Sequence, residues 1–309
     1  MTRVVAPIER ELPALTHPQG ALIVFGTGIF FSFGGLAFRS VEDVGAWEYL
    51  FFRGLGMLCV AAAVLAVRYR KRYDVLISGI EHGHLMAGLV LGLMNILFIV
   101  SLSFASVAFV LVLQTMAPLA AGYFSWLLMG ERPSSSVLVA TAISVVGVFV
   151  MVRGSIQSDL SPYGLLAALI PLGFGYYSTL IRSARRIDPS VPLVVAGVAI
   201  VSSGAVVVLL RGGFHATPRE AAIGLFAGSI LLALPLAVFN IAQRVVPSPE
   251  ASILIMSEII LAPIWVWVFV GEKASASTLL GGAIILAAVI WVTLNRVPRR
   301  GRRPITSRG

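Results

Sequence analysis

The sequence predicts an all-α integral membrane protein, with ten transmembrane helices arranged as two inverted five-helix repeats. Three observations predict it. Apolar stretches of bilayer length follow one another along all 309 residues. Almost no charge enters them. Two short motifs recur at nearly the same offset.

The predicted spans are 20–38, 47–67, 83–104, 107–129, 136–152, 160–181, 191–210, 221–243, 251–270 and 275–295. A helix needs roughly 17–25 apolar residues to cross a bilayer. The chain carries 23 Lys and Arg and 14 Asp and Glu, yet only Glu48, Arg53 and Glu258 fall inside these spans. A soluble protein needs charged helix faces; here the charges are confined to connectors. Hydrophobic residues make up 58 % of the chain and charged residues 12 %, outside the range of soluble or disordered chains. Lipid offers the backbone no hydrogen-bond partner, so spans of this length are helices. A β-barrel would show roughly ten-residue alternating segments, which are absent from the sequence. The flanks, 1–19 and 296–309, are too short to hold a core of their own.

The net charge is +9, and its placement matters more than its size. With a cytoplasmic N-terminus, the inner segments hold 17 Lys and Arg and the outer segments hold five: Arg39, Arg153, Arg211, Arg219 and Lys273. That asymmetry predicts both termini on the cytoplasmic side, here of a bacterial-type inner membrane. The basic tail 296–309 is expected to rest on anionic headgroups rather than to bind nucleic acid. Cys59 has no second cysteine to pair with, and His82-Gly-His84 has no cysteine beside it. Neither pattern reads as a metal or redox site, and no cofactor is expected.

The repeat rests on two anchors. Span one ends Leu36-Ala37-Phe38-Arg39-Ser40 and span six ends Thr179-Leu180-Ile181-Arg182-Ser183. Span four closes Met129-Gly130-Glu131-Arg132 and span nine closes Val270-Gly271-Glu272-Lys273. The offsets are 143 and 141 residues. The halves are therefore 20–152 and 160–295. Five spans is an odd number, so the second half enters the membrane in the opposite sense. Inverted repeats are typical of secondary transporters, whose substrate site lies near the midplane between halves. Pro118, Pro171, Pro235 and Pro263 lie within spans, where a proline kinks a helix.

With these residues assembled, the chain resembles the EamA-type branch of the drug/metabolite transporter superfamily. The likeness covers 20–295. It is carried by Leu102-Ser103-Phe104-Ala105-Ser106-Val107-Ala108, Gln114-Thr115-Met116-Ala117-Pro118 and Gly130-Glu131-Arg132 in the first half. In the second half it is carried by Ala251–Glu258 and Gly271-Glu272-Lys273, and Arg53 matches an arginine often seen in the family's second helix. The family often has Glu-Pro in helix nine; here Ile259 follows Glu258 and the proline comes at Pro263. The resemblance implies a ten-helix carrier of small metabolites, usually an exporter.

Eight residues are candidates for substrate binding. Glu258 leads, because a carboxylate near a helix centre costs about 2.5–3.5 kcal/mol and so faces a cavity or a partner. It could bind a substrate ammonium or exchange a proton. Arg53, six residues into span two, could meet a substrate carboxylate or snorkel outward. Asn95, Gln114 and Asn240 are either glue between helices or hydrogen bonders to substrate. Tyr176 and Tyr177 follow the Pro171–Gly175 break, and Trp265 shares a face with Glu258. An enzyme is disfavoured, since no span pairs a nucleophile with a base and no metal set is present. No nucleotide-binding motif points to ATP-driven pumping. The leading reading is an exporter of amino acids or related metabolites, Arg53 and Glu258 suiting a zwitterion. A carrier of a vitamin or nucleoside-like compound is the runner-up, and a membrane-embedded enzyme or accessory protein is third. Expected partners are a small-molecule substrate and the lipid bilayer, with the proton a candidate coupling ion.

Overall fold

The computed structural model describes residues 15–41, 45–69, 80, 82–130, 135–153, 161–183, 190–242, 245–246, 254–255 and 257–294. Among the described residues the chain is all-helical. Seven helical stretches are long and apolar enough to cross a membrane, and three shorter apolar helices accompany them.

The elements in order are α1 (His17–Arg39), α2 (Ala46–Tyr69), α3 (His82–Leu102), α4 (Val107–Gln114), α5 (Ala117–Met129) and α6 (Ser135–Arg153). Next come α7 (Pro162–Leu165), a 3-10 turn (Leu166–Ala168), α8 (Leu169–Ser183) and α9 (Val191–Leu210). The chain continues through α10 (Pro218–Phe226), a π-helical segment (Ala227–Ala233), α11 (Leu234–Ala242), α12 (Ser257–Val270) and α13 (Ala276–Leu294). Part of predicted span nine, 251–253 and 256, lies outside the described residues.

Leu22, Val67, Leu210, Phe269 and many other large apolar side chains face outward. Such helices, apolar all round, suit a lipid surrounding. Inside, one core joins Val24, Leu50, Met57, Ile99, Phe109, Leu193, Ile200, Phe239 and Ile285.

Spans four, six and eight are not the continuous helices that hydropathy alone suggests. A proline lacks its N–H and its ring crowds the carbonyl four residues back. Pro118 is the second residue of α5, which starts after α4 stops at Gln114. Pro171 follows the 3-10 turn that contains Ala167. Pro235 follows the π segment that contains Leu231. In each case the carbonyl at i−4 sits at a break or a change of helix type. Pro263 differs: it lies inside α12, which continues past it.

The packing partners follow a pattern. In α1–α12, α5–α8, α3–α9 and α3–α8 a helix of the first half meets one of the second; α2–α9 and α6–α13 do the same, and α2 and α1 both pack on the stretch Pro218–Ala242. Numbered by span, the pair 1–9 is mirrored by 4–6, 3–7 by 2–8 and 3–6 by 1–8, while 2–7 and 5–10 map onto themselves. The helix ends at Gly130 and Gly271 also match. Both glycines are left-handed, with φ of 68° and 78°, and each donates its N–H to a tryptophan carbonyl, Trp126 and Trp267. Glycine is favoured there because it has no Cβ to oppose positive φ.

Helix α2 and the π segment touch backbone to backbone. A Cβ on Gly228 would collide with the Arg53 carbonyl oxygen, and one on Gly56 with the Leu225 carbonyl oxygen. At the start of α2, Glu48 is buried and accepts hydrogen bonds from the backbone N–H groups of His215 and Ala216. Phe214 wedges against Phe51 and Phe52 at 4.7 and 6.0 Å. The α9–α10 connection is thereby pinned to α2.

Candidate functional site

A cavity of about 140 Å³ lies among α1, α2, α3, α4, α5, α8, the π segment, α11 and α12. A cavity near 150 Å³ is enough to hold a benzene-sized molecule. Its walls are largely apolar, from Phe31, Met94, Phe98, Phe174, Leu231 and Ile259. Its polar groups are Arg53, Glu258, Asn95, Gln114 and Thr115.

The helix breaks help to form this space. Gln114 and Leu231, whose carbonyls stand four residues before Pro118 and Pro235, both line it, as do Ile259 before Pro263 and Pro171 itself. Interrupted helices around a midplane cavity are how membrane carriers bring backbone and polar side chains to a substrate without exposing them to lipid.

Arg53 is only 5 % exposed, too buried to snorkel. Its guanidinium carbon lies 5.7 Å from the centroid of the Phe98 ring, a cation–π contact. Its Nε and Nη1 donate to no acceptor among the described residues, and neither does Nε2 of Gln114. Glu258, partly buried, faces the same cavity. Both side chains line it, yet they form no ion pair within 4.0 Å among the described residues. Asn95 donates its Nδ2 to the Leu91 carbonyl at 2.9 Å. Thr115 donates its hydroxyl to the Val112 carbonyl at 2.7 Å. The arrangement is a small, largely apolar chamber lined by one guanidinium, one carboxyl group and two amides.

Of the eight candidates from sequence, Glu258, Arg53, Asn95 and Gln114 come together here. The other four sit outside this lining. Tyr177 is buried and its hydroxyl oxygen accepts from Asn240 Nδ2 at 3.2 Å. Tyr176 packs edge-on against Phe124 at 5.2 Å. Trp265 stacks on Phe33 at 5.2 Å and donates its indole N–H to Ser32 at 3.0 Å. Trp265, seven residues after Glu258 on the same helix, is not part of the chamber lining. Sequence reasoning passed over Thr115, whose only signal is its place after the last residue of α4, and the phenylalanine walls, which are indistinguishable from lipid-facing phenylalanines in sequence. Among the described residues no three His, Cys, Asp or Glu side chains gather as a metal site.

Fold and cavity define a class: a multi-pass helical membrane protein enclosing a small, mixed-charge chamber. The EamA-like transporter family model matches the chain twice, at residues 18–153 and 162–294. The chain belongs to that family. It is also similar to an uncharacterized transporter, YwfM, of Bacillus subtilis (strain 168), at 24 % identity over 189 residues. That match covers 60 % of this chain, which in turn spans 62 % of that relative's length. One solved crystal structure shares the fold with a TM-score of 0.59 at 19 % identity, covering 91 % of this chain and 100 % of its own.

Proposed function

We propose that this protein is a secondary carrier that moves a small zwitterionic metabolite, of the amino-acid type, out across the inner membrane by alternating access. Both termini are cytoplasmic in this reading, and two inverted halves, 20–152 and 160–295, rock about the chamber. The exchange-symmetric packing and the two family matches support the halves.

One observation carries the substrate class. Three donor nitrogens, Arg53 Nε and Nη1 and Gln114 Nε2, are buried around one chamber without an acceptor among the described residues. Buried donors cost free energy unless a partner arrives, and a carboxylate offers a guanidinium two oxygens in matching geometry. Glu258 stands apart as the receptor for an ammonium, or as the group that exchanges a proton during the cycle. A second reading has its own support: Phe31, Phe98 and Phe174 give the chamber ring faces on which a vitamin or nucleoside-like compound could stack.

Counterflow in proteoliposomes tests both. Protein preloaded with pooled metabolites should take up one labelled amino acid in a saturable way. Glu258→Gln should abolish or uncouple that exchange in folded protein. Exchange of a nucleoside or vitamin in place of any amino acid would establish the second reading. Normal exchange by Glu258→Gln across a pH series would remove Glu258 from the mechanism.

A further inference from the structure

The two motif anchors that mark the repeat meet each other across the halves. Arg39 is the last residue of α1 and Glu272 follows the left-handed Gly271 that ends α12. Arg39 Nε donates to Glu272 Oε2 at 2.7 Å, and Arg39 Nη2 donates to the Ala105 carbonyl at 2.7 Å. Glu272 Oε1 accepts the Val107 backbone N–H at 2.6 Å. Two side chains thus join three places: the end of α1, the end of α12 and the turn between α3 and α4.

These are the ends of elements that wall the chamber. Gly34 on α1, Phe98 on α3, Gln114 on α4 and Ile259 on α12 all line it. Gly34 is about 1.4 turns below Arg39, about 7.5 Å at a rise of 1.5 Å per residue. Opening the chamber toward this end requires α1, α12 and the α3–α4 turn to part, and the tie spans all three gaps.

Its exposure also sets it apart. Arg39 and Glu272 are 21 % and 22 % exposed. The Glu48 anchor at the α2–α10 side is buried and binds backbone N–H groups within a single tightly packed unit. A buried anchor resists separation; a water-accessible ion pair exchanges its partners for water at small cost. Gly271 is needed to turn the chain so that Glu272 reaches back over the bundle.

We propose that Arg39 and Glu272 form a breakable latch that holds this end of the chamber shut, and that the chamber opens here when the pair separates. This rests on the alternating-access reading above. The left-handed glycine at the end of α12 then has a purpose: it aims the acid of one half at the arginine of the other. In the sequence topology the repeat-mates, Arg182 and Glu131, fall at the opposite end; Glu131 and the Arg182 side chain lie outside the described residues.

The test reads accessibility rather than transport. Cys59→Ala removes the native thiol, and Gly34→Cys places a thiol where an added Cβ meets nothing within 4 Å. The full chain in liposomes is treated with a membrane-impermeant maleimide on each face in turn. Arg39→Gln or Glu272→Gln should raise labelling from the Arg39 face roughly tenfold, the shift expected from losing charge-assisted bonds to one of two states. If a variant fails to fold, the intact latch is measured at low and at 1 M salt, where screening should speed labelling from the same face. Equal labelling with and without the latch, and at both salt levels, would overturn the proposal. So would a change confined to the opposite face. Absence of counterflow alongside a latch-dependent labelling rate would reject the carrier reading while leaving the latch; normal counterflow with unchanged labelling would reject the latch alone.

Discussion

Gly228 is where a single methyl group should do most damage. Its backbone lies against that of Arg53, and a Cβ there would fall on the Arg53 carbonyl, 2.6 Å from the carbonyl carbon and 2.9 Å from Cα. An ordinary carbon–carbon contact is about 3.5–4.0 Å. Gly228→Ala therefore forces α2 and the π segment apart by about 1 Å, and neither neighbour is a side chain that could swing away. Overpacking of this kind costs about 1–3 kcal/mol. It also carries Arg53 away from Gln114 and Glu258, so half-saturation for the transported solute should rise as stability falls. Gly26→Ala is the control: its Cβ meets nothing within 4 Å, and replacing a mid-helix glycine should be neutral or stabilising by about 0.5–1 kcal/mol. The assay is thermal unfolding in detergent alongside counterflow. Equal melting of the two variants would refute the claim that backbone contact positions Arg53.

Three further outcomes are expected. Arg53→Lys keeps the charge but loses the planar donor fork, so apparent affinity should fall at least tenfold, the roughly 1.5–3 kcal/mol of a charge-assisted hydrogen bond, measured by counterflow half-saturation. Glu48→Ala removes the acceptor of the His215 and Ala216 N–H groups, at about 1–3 kcal/mol for the half-buried Ala216; thermal unfolding should shift downward and proteolysis near Gly212 and Gly213 should quicken. Trp265→Phe should keep the stack on Phe33 but lose the bond to Ser32, a loss of about 1 kcal/mol in melting with transport kept, because Trp265 is outside the chamber lining.

Much was legible along the chain. Hydropathy marks a membrane protein because lipid selects for uninterrupted apolar runs. The in-span charges Arg53 and Glu258 stood out because charge in lipid is expensive, and the structure places both on one chamber. Asn95 and Gln114 were visible as amides inside apolar spans, where they either join helices or hydrogen-bond a substrate. The prolines announced irregular helices, though not their form. Only the fold decides whether the carbonyl before a proline meets a break, a 3-10 turn or a π segment, since neighbouring helices supply or withhold the compensating contacts.

By itself, then, the sequence determined the class of protein, its apolar segments and the few polar residues that lipid would penalise, because those depend on composition and local order. Tertiary structure decided which polar residues share a space. Asn240 spends its Nδ2 on Tyr177, while among the described residues Arg53 and Gln114 keep donors unspent, and Arg39 reaches Glu272 across 233 positions of chain. A side chain's free hydrogen-bonding capacity depends on what neighbouring helices offer it, and that is a property of packing in three dimensions.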